Sequence, residues 1–133
     1  METAYSLVNN IVALIANGNS VHIWVQNIKD HPLYDYILYH KNATGFLVGD
    51  EAKESFSRTG VAGIKFVGSR YPTSPSYYIL VSSYINVTVE INEHEFGVAL
   101  LSCINTWIEI TIDGKQIRSN DKTILSDFVS KYS

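Results

Sequence analysis

The chain has 133 residues, 46% hydrophobic and 17% charged, with a formal net charge of -3 at pH 7 and a pI near 5.7. With that apolar content no staples are needed to fold it, a single cysteine excludes an intramolecular disulfide, and the acidic balance argues against a duplex-binding role, which demands a basic face. Length and composition fit one domain over residues 1–133 that buries roughly two-thirds of its unfolded surface.

From the N-terminus, Ala4, Leu7, Val8, Ile11, Leu14 and Ile15 recur at helical spacing. This predicts a helix over Thr3 to Asn17, closed by Gly18 as a left-handed cap. Ser20 to Gln26 alternates Val21, Ile23 and Val25 against His22, Trp24 and Gln26, the pattern of a half-buried strand. Pro32 precedes Leu33 to Tyr39, which reads as a strand by composition and as a short helix by its leading proline. Gly45 to Val48 is a short apolar run, Asp50 caps a short helix through Ser57, and Val61 to Val67 is an irregular strand punctuated by glycines. Tyr71 to Ser76 is the clearest loop.

The densest strand signal lies between Ser76 and Ile117. Ile85, Val87, Val89 and Ile91 alternate with Asn86, Thr88 and Glu90, and Ile108, Ile110 and Ile112 alternate with Trp107, Glu109, Thr111 and Asp113. Residues 76–91 read equally as one bent strand or as two strands meeting near Ser82-Ser83. Asn92 and Glu95 have capping-box spacing ahead of Phe96, Ala99, Leu100 and Cys103, which favours a helix; Gly97 opposes it by about 1 kcal/mol, leaving a hairpin strand as the competitor. Asp113-Gly114 signals a two-residue hairpin turn, and Ile124, Leu125, Phe128 and Val129 form the stripe of a C-terminal helix. The fold class is therefore α+β: a mainly antiparallel sheet flanked by an N-terminal and a C-terminal helix, with one or two further short helices.

No catalytic motif, metal-ligand set or nucleotide loop emerges, so no enzyme activity, cofactor or metal is expected. His22, His31, His40 and His94 lack metal-ligand spacing, and Cys103 lies among Leu100, Leu101 and Ile104, the setting of a small buried hydrophobe and not of an activated thiolate. Lys65 and Arg70, with Lys53 and Arg58 upstream, mix with aromatics as in a single-strand binder, but Asp50, Glu51 and Glu54 dilute that charge. A small-ligand or enzymatic pocket lined by Tyr34, Tyr36, Tyr39 or His40 is the first alternative function, and the single-strand binder the second. The first twenty residues show neither a basic n-region nor an unbroken apolar span, so a cytoplasmic protein with no membrane segment is expected, in which the sequons at Asn42 and Asn86 carry no weight.

One absence carries the functional expectation. Between Arg70 and Lys115 there is no lysine or arginine, while Glu90, Glu93, Glu95, Glu109 and Asp113 all fall there. If the two best strands are neighbours, Glu90, Glu109 and Asp113 share an outward face with Trp107 and Thr88, with Tyr84 nearby, and these carboxylates would stand in for the phosphates that a nuclease site expects. Carboxylates to steer a basic protein and aromatics to anchor it suit a stoichiometric inhibitor, in concrete form an immunity or antitoxin protein neutralising a bacterial nuclease toxin. An exposed edge strand would also permit a homodimer.

Overall fold

The computed structural model describes residues 2–26, 43–45, 61–70, 74–83, 87–104 and 107–132. In chain order these form α1 (Glu2–Ala16), β1 (Val21–Gln26), β2 (Ala43–Gly45), β3 (Val61–Arg70), β4 (Pro75–Ser83), β5 (Val87–Ile91), α2 (Glu93–Cys103), β6 (Ile108–Ile112), β7 (Lys115–Ser119) and α3 (Lys122–Ser130). The strands make one seven-stranded sheet in the order β2-β5-β4-β3-β1-β6-β7, every neighbouring pair antiparallel. The expected α+β class is what the chain adopts. The strand read over Leu33 to Tyr39 and the helix read over Asp50 to Ser57 lie outside the described residues.

Local chemistry explains most boundaries. α1 ends at Gly18, whose φ of 105° only glycine adopts readily. The amides of Gly18 and Asn19 return to the carbonyls of Ile15 and Leu14 at 3.1 and 3.0 Å, closing a Schellman motif. α2 opens with a complete capping box: Asn92 Oδ1 accepts from the Glu95 amide at 2.8 Å, and Glu95 Oε1 accepts from the Asn92 amide at 3.1 Å. The helix reading of residues 93–103 therefore prevails over the hairpin strand, and Gly97 is carried inside it. Asp121 caps α3 through the amides of Thr123 and Ile124. Asp113 and Gly114, at φ 48° and 87°, make the two-residue turn between β6 and β7.

The stretch from Ser76 to Ile91 is two strands: β4 and β5 pair antiparallel from Tyr77–Ile91 to Val81–Val87. Pro75 and Ser76, expected in the loop, already pair with Arg70 and Ser69. β3 carries a register shift between Val61 and Gly63, the irregularity its glycines foretold.

The three described helices cover one face of the sheet. Leu7, Ile11, Leu14 and Ile15 of α1 join Val21, Ile23, Ile64, Phe66, Ile79, Ile108 and Ile110 in a single buried cluster. Phe96 of α2 meets the Phe66 ring edge-on at 5.7 Å and the Tyr77 ring at 5.1 Å, which seats α2 over β3 and β4. α3 packs beside α1 and against β7, burying Leu125 and Val129 but leaving Ile124, expected on the apolar stripe, 49% exposed. β5 and β6, on which the acidic-face expectation rests, are not neighbours: β4, β3 and β1 stand between them. β1, from the N-terminal part of the chain, takes an interior position between β3 and β6, where its buried Val21, Ile23 and Val25 pair with hydrophobic strands on both sides.

Candidate functional site

Strand alternation sends every second side chain to the face turned away from the helices. The pairing registers place these side chains in two adjacent cross-strand rows. The first runs Arg118, Glu109, Trp24, Lys65, Leu80, Thr88; the second runs Gln116, Thr111, His22, Val67, Tyr78, Glu90. At the centre Trp24, Lys65, Leu80, His22, Val67 and Tyr78 are half-buried, while Arg118 and Glu90 at the margins are exposed.

The expected partner-binding residues are distributed as follows. Glu90, Thr88 and Glu109 lie on this helix-free face. Glu90 and Glu109 are nevertheless four strand steps apart, roughly 19 Å at about 4.8 Å per step. Trp107, immediately before β6 and 52% exposed, joins the same face at one corner, where the Arg118 guanidinium lies 6.0 Å above its ring. Asp113 is a structural residue of the β6–β7 turn: its Oδ1 accepts from the Ser20 amide at 2.9 Å, and its own amide donates to the Ser20 carbonyl at 3.0 Å. Glu93 and Glu95 belong to the helical side, Glu95 in the capping box and Glu93 accepting from the Tyr77 hydroxyl at 3.4 Å. Tyr84 lies outside the described residues. The lysine-free stretch thus delivers its carboxylates to three separate places.

The alternative constellations also separate. Lys65 is on the helix-free face, whereas Arg70 turns to the helical side and donates to the Ala16 carbonyl at 2.8 Å; Lys53 and Arg58 lie outside the described residues. So do Tyr34, Tyr36, Tyr39 and His40. Cys103, the last residue of α2, is buried on its inner face, and burial pushes its thiol pKa up to about 11 despite the Ser102 hydroxyl 3.7 Å away. A thiol so disfavoured as thiolate is a poor nucleophile. His94 is exposed, and no three His, Cys, Asp or Glu side chains converge on a metal position among the described residues.

What alternation alone did not place is the grouping at the β1–β3–β6 end of the face. There an open depression of about 660 Å³ is lined by His22, Trp24, Lys65, Glu109, Thr111 and the Asp113 turn. His22 has its pKa lowered, first by burial and second by the nearby Lys65 charge, so its ring is neutral at pH 7. The alternation of β1 marks His22 and Trp24 as a pair, but only the β1–β3 and β1–β6 pairings show that Lys65 and Glu109 flank the indole.

Comparison with protein-family models, with curated proteins and with solved structures returns no match.

Proposed function

We propose that this chain is a small protein-binding protein that acts by stoichiometric occlusion of its partner, using the helix-free face of the sheet. The observation that carries this reading is the zoning of that face: Trp24, Leu80, Val67 and Tyr78 form a half-buried aromatic and aliphatic centre that also holds Lys65 and His22, and Glu90, Glu109 and Arg118 stand around it. An apolar, ring-rich centre within a charged rim is the anatomy of a protein interface, in which the rings supply contact area and the rim sets encounter rate. No helix among the described residues is long and apolar enough to cross a membrane.

The concrete form is a cytoplasmic immunity or antitoxin protein that blocks a basic nuclease-type toxin. Its support is the net charge of -3 and the two rim carboxylates. Separation of Glu90 from Glu109 means that they steer a basic partner from two sides and do not imitate one run of phosphates.

The test is capture of the partner from the native host, quantified by mass spectrometry, followed by light scattering of the purified complex. Wild-type protein is expected to hold one basic partner at 1:1, and Tyr78→Arg with Leu80→Arg to lose it. Equal retention by the variant removes this face from the function. Glu90→Lys with Glu109→Lys should slow association by about tenfold or more at low salt; an acidic partner, or one whose association is unaffected, would remove the nuclease-inhibitor form and keep the binding reading.

A further inference from the structure

The depression at the β1–β3–β6 end of the helix-free face has a chemistry that a merely solvated sheet surface does not need. Trp24 stands in one row between Lys65 and Glu109, and His22 and Thr111 stand in the next row beside it. Among the described residues, no side-chain hydrogen bond or ion pair engages His22, Lys65, Glu109 or Thr111. A flat ring is thus surrounded by polar groups not spent on one another. The hollow of about 660 Å³ falls within the range of ligand sites, roughly 300–1,000 Å³, but it is open and polar-rimmed, unlike the enclosed apolar pocket of a lipophilic ligand.

Charge narrows the ligand class. Lys65 and Glu109 sit on opposite sides of the indole, their backbones two strand steps or about 10 Å apart. An anion over Trp24 meets Glu109, and a cation meets Lys65. A neutral ligand that both donates and accepts satisfies the two together. Of the other charged groups described near it, Asp113 is already held by the Ser20 amide, and Arg118, beside Glu109 in the same row, lies over the Trp107 ring. His22, uncharged at neutral pH, carries one donor and one acceptor nitrogen, and the Thr111 hydroxyl likewise both donates and accepts.

We infer that this depression binds a neutral saccharide, its apolar C–H face stacked on Trp24 and its hydroxyls donating to Glu109 and accepting from Lys65. A pyranose has the required halves: a flat hydrocarbon face for the indole and a rim of hydroxyls that need donors and acceptors in turn. This inference goes beyond the protein-binding reading and does not rest on it. A saccharide titration needs no protein partner, so either can fail alone.

The experiment follows the two indole N–H signals of the full chain by NMR, with Trp107→Phe assigning the pair. Methyl α-D-glucopyranoside, methyl β-D-galactopyranoside and N-acetylglucosamine are titrated to about 100 mM, which covers millimolar dissociation constants. At least one sugar is expected to move the Trp24 signal saturably while the Trp107 signal stays in place. Glu109→Gln and Lys65→Met, at half-exposed positions and checked for unchanged circular dichroism, should each weaken that binding about tenfold or more. L-arginine and inorganic phosphate are the charged controls. A Trp24 signal indifferent to all three sugars, sugar shifts unaltered in both variants, or tighter binding of arginine or phosphate than of any sugar would overturn the inference.

Discussion

Asp113 illustrates how a residue's chemistry can be read correctly while its employment is missed. A carboxylate at the tip of a hairpin is a natural partner contact, yet here it holds the α1–β1 connection by two hydrogen bonds to Ser20, a residue 93 positions away. Glu95 is spent in the same way on the α2 cap. Cys103 was legible from its neighbours: Leu100 and Ile104 imply burial, burial disfavours the thiolate, and its pKa rises from 9.0 to about 11. We expect Cys103 in the native protein to resist Ellman's reagent at pH 8 and to react fully once denaturant exposes it. Rapid native-state labelling would show that α2 opens far more readily than its buried face implies.

At the scale of elements, α2 is the instructive case, because its sequence supports two structures. The Asn92–Glu95 box and the Phe96, Ala99, Leu100, Cys103 spacing favour a helix, and Gly97 weakens it. The box prevails because it satisfies two terminal amides at once, and the buried ring of Phe96 then packs between Phe66 and Tyr77. Gly97 is not required by the described packing: among the described residues a Cβ there would meet only Val8 Cγ1, at 3.8 Å, an ordinary contact. Gly97→Ala should therefore stabilise the protein by about 0.5–1 kcal/mol, seen as a rise in Tm of about 2–4 °C. A fall in Tm would mean that the α1–α2 contact is tighter than this geometry allows. Helix α1, the Asp-Gly hairpin and α3 were legible because their signals are local, being caps, turn residues and periodicity within about fifteen residues. Ile124 departed from its expected stripe because α3 is only nine residues long and its docking against α1 and β7 buries one line of side chains, Leu125 and Val129.

At the scale of the whole molecule, the helical layer approaches the sheet closely where α1 crosses β3. A Cβ on Gly68 would press into Ile15 Cδ1 and lie 3.0 Å from its Cγ1, and Ile15 is fully buried with little room to turn aside. Gly68→Ala should cost about 1–3 kcal/mol by overpacking, measured by urea unfolding. Adding Ile15→Val, which removes Cδ1, should recover part of that loss, and the double-mutant cycle should show coupling of about 0.5 kcal/mol or more. Strict additivity would mean that the two residues do not touch.

The same scale separates what the chain states locally from what folding decides. Amphipathic spacing, caps and turn residues act between neighbours in sequence, so the α+β class, both terminal helices, the β6–β7 hairpin and the inward and outward faces of β1, β5 and β6 could be read from residue order alone. Strand order could not. Antiparallel pairing depends on which hydrophobic faces bury best together across the chain, and nothing near Val89 or Ile110 records that β4, β3 and β1 will come between them. Tertiary pairing therefore dispersed the expected acidic cluster and assembled Trp24, Lys65 and Glu109, from three distant strands, around one depression.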